Sequence, residues 1–201
     1  MSSVTADSPV RPAGRPRDDR ITAAILEATL ALLADRGYAA LSIAAVAEAA
    51  GVGKPAIYRR YGSKAELVVA AIDVLAEEPA PELPDDTRDA LTALLAATAA
   101  VIGTPGGLAI MGSLLAAGSS DPELIEAFRE RIVRPRHEVV DAVMARAAER
   151  GELHTDADLE ALDAMLFGAV LARATLGERL DRAWVERIVD TAWAAVAVDR
   201  A

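Results

Sequence analysis

The sequence predicts an all-α protein, and three observations carry that expectation. Aromatic residues are 3% of the 201 residues while alanine and leucine dominate, which favours helix nearly everywhere and strand nearly nowhere. Apolar side chains recur at helical spacing in one segment after another, and corners bearing glycine or proline separate those segments. A hydrophobic content of 53% is ample for a buried core. The layout is a basic arm over residues 1–17, a small unit over 18–76, a proline-rich acidic break over 77–86 and a larger helical unit over 87–201.

The arm contains Arg11-Pro12-Ala13-Gly14-Arg15-Pro16-Arg17, too rich in proline and glycine to pack. Taken alone it reads as a solvated terminus. Ahead of a DNA-binding unit, Arg15 and Arg17 become candidates for a narrow A·T-rich minor groove, where the negative potential is deepest.

Ser42 is a good N-cap, and Ile43, Val46 and Ala47 behind it fall at helical spacing, so a short helix is expected from about Ser42 to Ala50, stopped by Gly51. Ala50-Gly51-Val52 offers a small residue, a glycine able to take positive φ and an apolar plug, the makings of a tight corner between helices. A second short helix is expected from about Pro55 to Tyr61, with Lys54 at its mouth. Its Lys54, Tyr58, Arg59, Arg60 and Tyr61 suit phosphates and base edges. Ser63-Lys64-Ala65-Glu66 then reads as a capping box, opening a helix whose buried stripe is Leu67, Val68, Ala71, Ile72 and Leu75 and leaving Lys64 pointing out.

From about Arg15 to Ala76 these residues resemble the DNA-binding domain of the TetR family of bacterial repressors. The resemblance rests on Gly37-Tyr38, Ser42, Val46-Ala47, Ala50-Gly51-Val52, Pro55-Ala56, Tyr58, Tyr61 and Lys64-Ala65-Glu66-Leu67. Leu41, Gly53 and Arg60 depart from it, standing where the family favours threonine, serine, and histidine or tyrosine. It implies a three-helix helix-turn-helix domain followed by a helical ligand-binding and dimerisation domain. In the first, Lys54, Pro55, Ala56 and Arg59 lie nearest the bases, and Ser42, Tyr58, Tyr61 and Lys64 anchor phosphates.

In the larger unit five helices are expected, over roughly 87–102, 108–117, 122–150, 157–176 and 182–198, with Pro135 kinking the third. The resemblance implies a cavity beside a bent long helix. Met111, Leu115, Phe128, Val143, Met144, Met165 and Phe167, with Leu114, Ile132 and Val139, are candidates to line it, or are simply core. The last two helices carry apolar residues on more than one face, so one face needs a partner. A homodimer joined as a four-helix bundle through Phe167, Val170, Leu171, Trp184, Val185, Ile188, Val189 and Trp193 meets that need. The small residues Gly168, Ala169 and Ala172 permit close approach.

The net charge of −10 looks wrong for a partner of DNA, yet the residues through Ala76 sum to +1 and the rest to −11. No cysteine, signal-like segment or run long enough to span a bilayer is present, so a cytoplasmic protein without disulfides or membrane contact is expected. A catalytic reading has little support. His137 and His154 lack zinc-ligand spacing, Thr155-Asp156 looks like a helix cap rather than a metal loop, and no phosphate-binding glycine loop occurs, so no metal or cofactor is expected. Arg173 is expected to pair with Asp163 or a partner subunit's acid, or else to reach an anionic ligand. The reading reached is a homodimeric repressor on a palindromic double-stranded operator, released by a small apolar effector. The alternative is a sensing or scaffold protein that keeps the fold without specific DNA binding.

Overall fold

The computed structural model describes residues 15–76, 83–104, 106–118 and 120–198. Among the described residues ten α-helices follow one another: α1 (Arg15–Ala40), α2 (Ile43–Ala49), α3 (Lys54–Tyr58), α4 (Lys64–Ala76), α5 (Thr87–Ile102), α6 (Gly107–Ala117), α7 (Pro122–Phe128), α8 (Arg134–Glu149), α9 (Leu159–Thr175) and α10 (Arg182–Trp193). A π-helical turn, Arg129–Val133, joins α7 to α8 directly ahead of Pro135. The expected long third helix is therefore continuous but interrupted, because a proline supplies no N–H and its ring crowds the preceding turn.

Four expectations shift. Helix α3 ends at Tyr58 with Arg59 as its C-cap, short of the expected Tyr61, and it starts one residue earlier, at Lys54. Arg15 and Arg17 belong to the backbone of α1 rather than to an arm, since the helix starts three residues before Asp18, whose carboxylate suits its first turn. Helix α9 is capped not by Thr155-Asp156 but by Asp158, which accepts from Ala161 N at 2.9 Å. Helix α10 stops at Trp193 because the following backbone is claimed elsewhere: Leu153 and Ala197 form an isolated antiparallel bridge, and Val198 N donates to Glu152 O at 2.8 Å.

Two hydrophobic cores form, and their boundary does not follow the chain. The first gathers α1 to α4 around Ile25, Leu33, Val46, Ile57, Leu67 and Val68, and it also takes in Ile110, Leu114 and Ala117 of α6 and Leu124 of α7. The second is built by α5, α8, α9 and α10 around Leu95, Val143, Leu162, Val170, Val185 and Val189. Helices α6 and α7, read from sequence as part of the larger unit, thus pack as part of the N-terminal head. Gly106 makes this possible: with φ at 100° it lies against α1 so closely that a Cβ there would fall 2.7 Å from the Ala34 Cβ.

Polar contacts fasten the same seam. Gly37, with φ at 72°, ends the long run of α1 and turns Tyr38 inward. The ring of Tyr38 is buried and its hydroxyl donates to Asp121, whose other oxygen caps α7 by accepting from Leu124 N at 3.1 Å. Beyond the π-turn's first residues, Arg131 donates to Asp73 of α4 at 3.0 Å.

Candidate nucleic-acid interface

Helices α2 and α3 are set against each other by a corner whose chemistry is legible atom by atom. Ser42 Oγ accepts from Ala45 N at 3.2 Å and so caps α2. At its other end Gly51 takes φ of 65°, Gly51 N donates to Glu48 O at 3.1 Å, and Val52 N reaches back to Ala47 O at 2.9 Å. This is the paired 5→2 and 6→1 closure in which a glycine ends a helix. Val52 then plugs the head core, and Gly53 caps α3 in extended conformation with Pro55 in the first turn.

Helix α3 is held by Ile57, which is fully buried. Its opposite face is open: Lys54, Pro55 and Arg59 are exposed, and Tyr58 is 58% exposed. The i, i+4 spacing puts Lys54 with Tyr58 and Pro55 with Arg59 on that side. Among the described residues neither Lys54 nor Arg59 has an ion pair or a side-chain hydrogen bond. Two uncommitted cations, a phenol and a flat proline on a protruding helix are suited to the major groove.

The structure removes other candidates from that face. Lys64 turns inward: Nζ donates to Tyr38 O at 3.0 Å and Leu41 O at 3.3 Å, and lies 3.9 Å from the centre of the Tyr38 ring. The end of α1 and the residue after it offer two carbonyl oxygens and an aromatic face, a site that suits a cation on a four-carbon stem. Tyr61 is half-buried against the head core, and burial pushes its hydroxyl pKa up. Ala56 is half-buried. Half of the expected capping box forms: Glu66 N donates to Ser63 Oγ at 3.0 Å, but the Glu66 carboxylate accepts from Gly62 N at 2.7 Å rather than from Ser63 N. The side chains of Arg15 and Arg17, and residues 1–14, lie outside the described residues.

The expected cavity residues occupy different environments. Val143 and Met144 are core of the second cluster, Met111 packs at its margin, and Phe128 packs on the head core. Leu115 and Met165 are exposed at 67% and 52%. Phe167 is half-buried, with the Arg136 guanidinium 5.1 Å from its ring centre. Met165 lines a shallow groove beside His154, Asp158, Ala161 and Val196. Of the expected dimer residues, Val170, Trp184, Val185 and Val189 are buried within the chain's own second core, and Phe167, Leu171, Ile188 and Trp193 are half-buried. The exposed face of α9 carries Ala164, Met165, Gly168 and Ala172. The second core thus takes up Val170, Trp184, Val185 and Val189, large apolar side chains of the kind that a two-layer helical unit generally buries. Arg173 pairs with Glu178, while Asp163 is held by Arg136 at 3.3 Å and His137 Nδ1 at 2.8 Å.

Residues 25–71 match the family described as bacterial regulatory proteins, tetR family, and residues 83–192 match the tetracyclin repressor-like C-terminal domain. The chain belongs to the TetR family. It is 32% identical over 176 residues to the DNA-binding transcriptional repressor TetR of Mycobacteroides abscessus, covering 87% of this chain and 92% of that one. It is 27% identical over 186 residues to the HTH-type transcriptional regulator YdeS of Bacillus subtilis, covering 91% and 93%. A TetR transcriptional regulator from Agrobacterium tumefaciens shares the fold with a TM-score of 0.68 at 22% identity, over 90% of this chain and 95% of that one. One from Haloarcula marismortui does so with a TM-score of 0.69 at 20% identity, over 90% and 100%. As a TetR-family member the chain is a DNA-binding transcription regulator and not an enzyme. Among its described residues no single helix is long and apolar enough to cross a membrane.

Proposed function

We propose that this TetR-family regulator is a cytoplasmic homodimeric repressor that binds a palindromic operator and leaves it when a small apolar effector binds. The observation that carries the DNA-reading part is the outward face of α3. Lys54, Pro55, Tyr58 and Arg59 project from a helix anchored by Ile57, and among the described residues neither cation has a competing partner. In this reading α3 enters the major groove, Lys54 and Arg59 reach base edges, and Ser42 and Tyr58 meet phosphates. The open stripe of α9, Ala164, Met165, Gly168 and Ala172, seats the second copy, small residues allowing the helices to approach closely. Repression is supported by the similarity to the Mycobacteroides abscessus DNA-binding transcriptional repressor.

Effector release follows from the shared core. Helices α6 and α7 are packed into the head, while α8 continues α7 into the second core through the π-turn. An effector that prefers one placement of α6 and α7 therefore also prefers one placement of α3, and weakens DNA binding by the ratio of its affinities for the two states. The test is fluorescence anisotropy of a labelled duplex from the protein's own promoter region against random DNA of equal length, at several salt concentrations. Selective, salt-dependent binding by two chains per duplex supports the reading; equal binding to both duplexes refutes it.

A further inference from the structure

Helix α3 has five residues, and Ile57 is its one fully buried side chain. A single anchor fixes where such a helix sits but leaves its rotation soft, and reading base edges demands placement to within about half an ångström. Something else has to hold the rotation.

Arg60 is in the right place to do so. Its Nη1 donates to Ala56 O of α3 at 2.7 Å, its Nε donates to Thr22 Oγ1 of α1 at 3.2 Å, and its Nη2 donates to the Asp18 carboxylate. Thr22 closes the ring by donating its hydroxyl to Asp18 O at 3.0 Å. The Arg60 side chain is 12% exposed, whereas that of Asp18 is 66% exposed. A planar guanidinium can bridge three acceptors on two helices; an ammonium is a point charge on a flexible stem and cannot hold that geometry. All three nitrogens are occupied, so Arg60 is not aimed at a phosphate.

We propose that Arg60 is the positioning residue of the recognition helix, fixing the rotation of α3 against the first turns of α1, and that Asp18 serves DNA recognition through it. The proposal rests on the reading of α3 as the DNA-reading element. Its consequence is counter to simple electrostatics. Removing an exposed acid from a DNA-binding head ordinarily strengthens binding to any duplex. Here, removing Asp18 releases Arg60, loosens α3 and costs selectivity, because base contacts depend on register while phosphate contacts tolerate its loss.

The experiment compares wild type, Arg60→Met, Arg60→Lys, Asp18→Ala and the Asp18→Ala/Arg60→Met pair on promoter and random duplexes across salt, with thermal unfolding followed in parallel. Wild-type selectivity is the control for the DNA-reading assignment, and its absence overturns both. Given that control, each single variant is expected to lower the promoter-over-random ratio by about tenfold, or about 1.4 kcal/mol, with an unchanged salt slope. The double variant is expected to be no worse than Arg60→Met. Asp18→Ala changes an exposed side chain and keeps the fold, so the sign of its effect stands even if Arg60→Met unfolds. Tighter binding of Asp18→Ala to both duplexes, wild-type selectivity in Arg60→Lys, or a salt slope flattened by about one unit in Arg60→Met would each overturn the proposal.

Discussion

Tyr38→Phe isolates the polar seam between the head and α7. The ring stays where it is, 4% exposed in the head core and against the Lys64 ammonium, and only the hydroxyl is lost. That hydroxyl donates to the Asp121 carboxylate, and a hydrogen bond to a charged group contributes about 1.5–3 kcal/mol. Asp121 is partly exposed and takes up water once the phenol is gone, which sets the expected loss at the lower end, about 1–2 kcal/mol. For a chain of this length that lowers the unfolding temperature by roughly 2–8 °C. Asp121→Asn retains a capping side chain but not the charge, and should cost no more than Tyr38→Phe; Asp121→Ala loses the α7 cap as well and should cost about 1 kcal/mol further. The pH dependence has two arms. The Tyr38 hydrogen bond holds the Asp121 carboxyl below its ordinary range, so this contribution is present at neutral pH and lost as pH falls through the lowered value. Burial, then the bond to Asp121, raises the Tyr38 hydroxyl well above its ordinary value of 10.0, so the unfolded chain ionises first and stability is lost as pH rises beyond that value. Chemical denaturation of wild type and Tyr38→Phe at neutral, acid and alkaline pH checks both arms: the gap between the proteins should narrow at each extreme. A gap that is absent at neutral pH, or that widens in acid, refutes the reasoning.

Gly106→Ala should destabilise by about 2–4 kcal/mol, since the new methyl meets Ala34 and the residue keeps positive φ; a thermal scan matching wild type would contradict the close seating of α6 on α1. Gly168→Glu should yield folded monomers by sedimentation, because a Cβ there meets nothing within 4 Å of the isolated chain, whereas Val189→Asp should unfold the second core; a dimer that survives Gly168→Glu would move the interface elsewhere. Lys64→Ala should lower head stability by about 1–2 kcal/mol through loss of the Tyr38 contacts, and leave the salt slope of DNA binding unchanged.

The sequence carried the head further than the rest. Ser42, Gly51, Val52, Pro55 and Ser63 act through local backbone chemistry, and each performs in the structure the local role its type suggests. What it did not carry were decisions made by tertiary packing. Lys64 is an ordinary surface lysine until the end of α1 brings the Tyr38 ring and two carbonyls beneath it. Arg60 looked like one more cation on the recognition segment, and its partners Asp18 and Thr22 lie some forty residues earlier in the chain. In α9 and α10 apolarity on several faces was visible, but which face meets the core and which stays open was not, because Val189 and Gly168 are told apart only by their neighbours.

The central claim is that the outward face of α3 reads sequence. Arg59→Ala tests it most directly, with promoter and random duplexes titrated side by side against wild type. The account predicts that promoter binding weakens by about 1–3 kcal/mol while random binding changes little, so that selectivity falls. Equal weakening on both duplexes would make Arg59 a phosphate contact and contradict the claim.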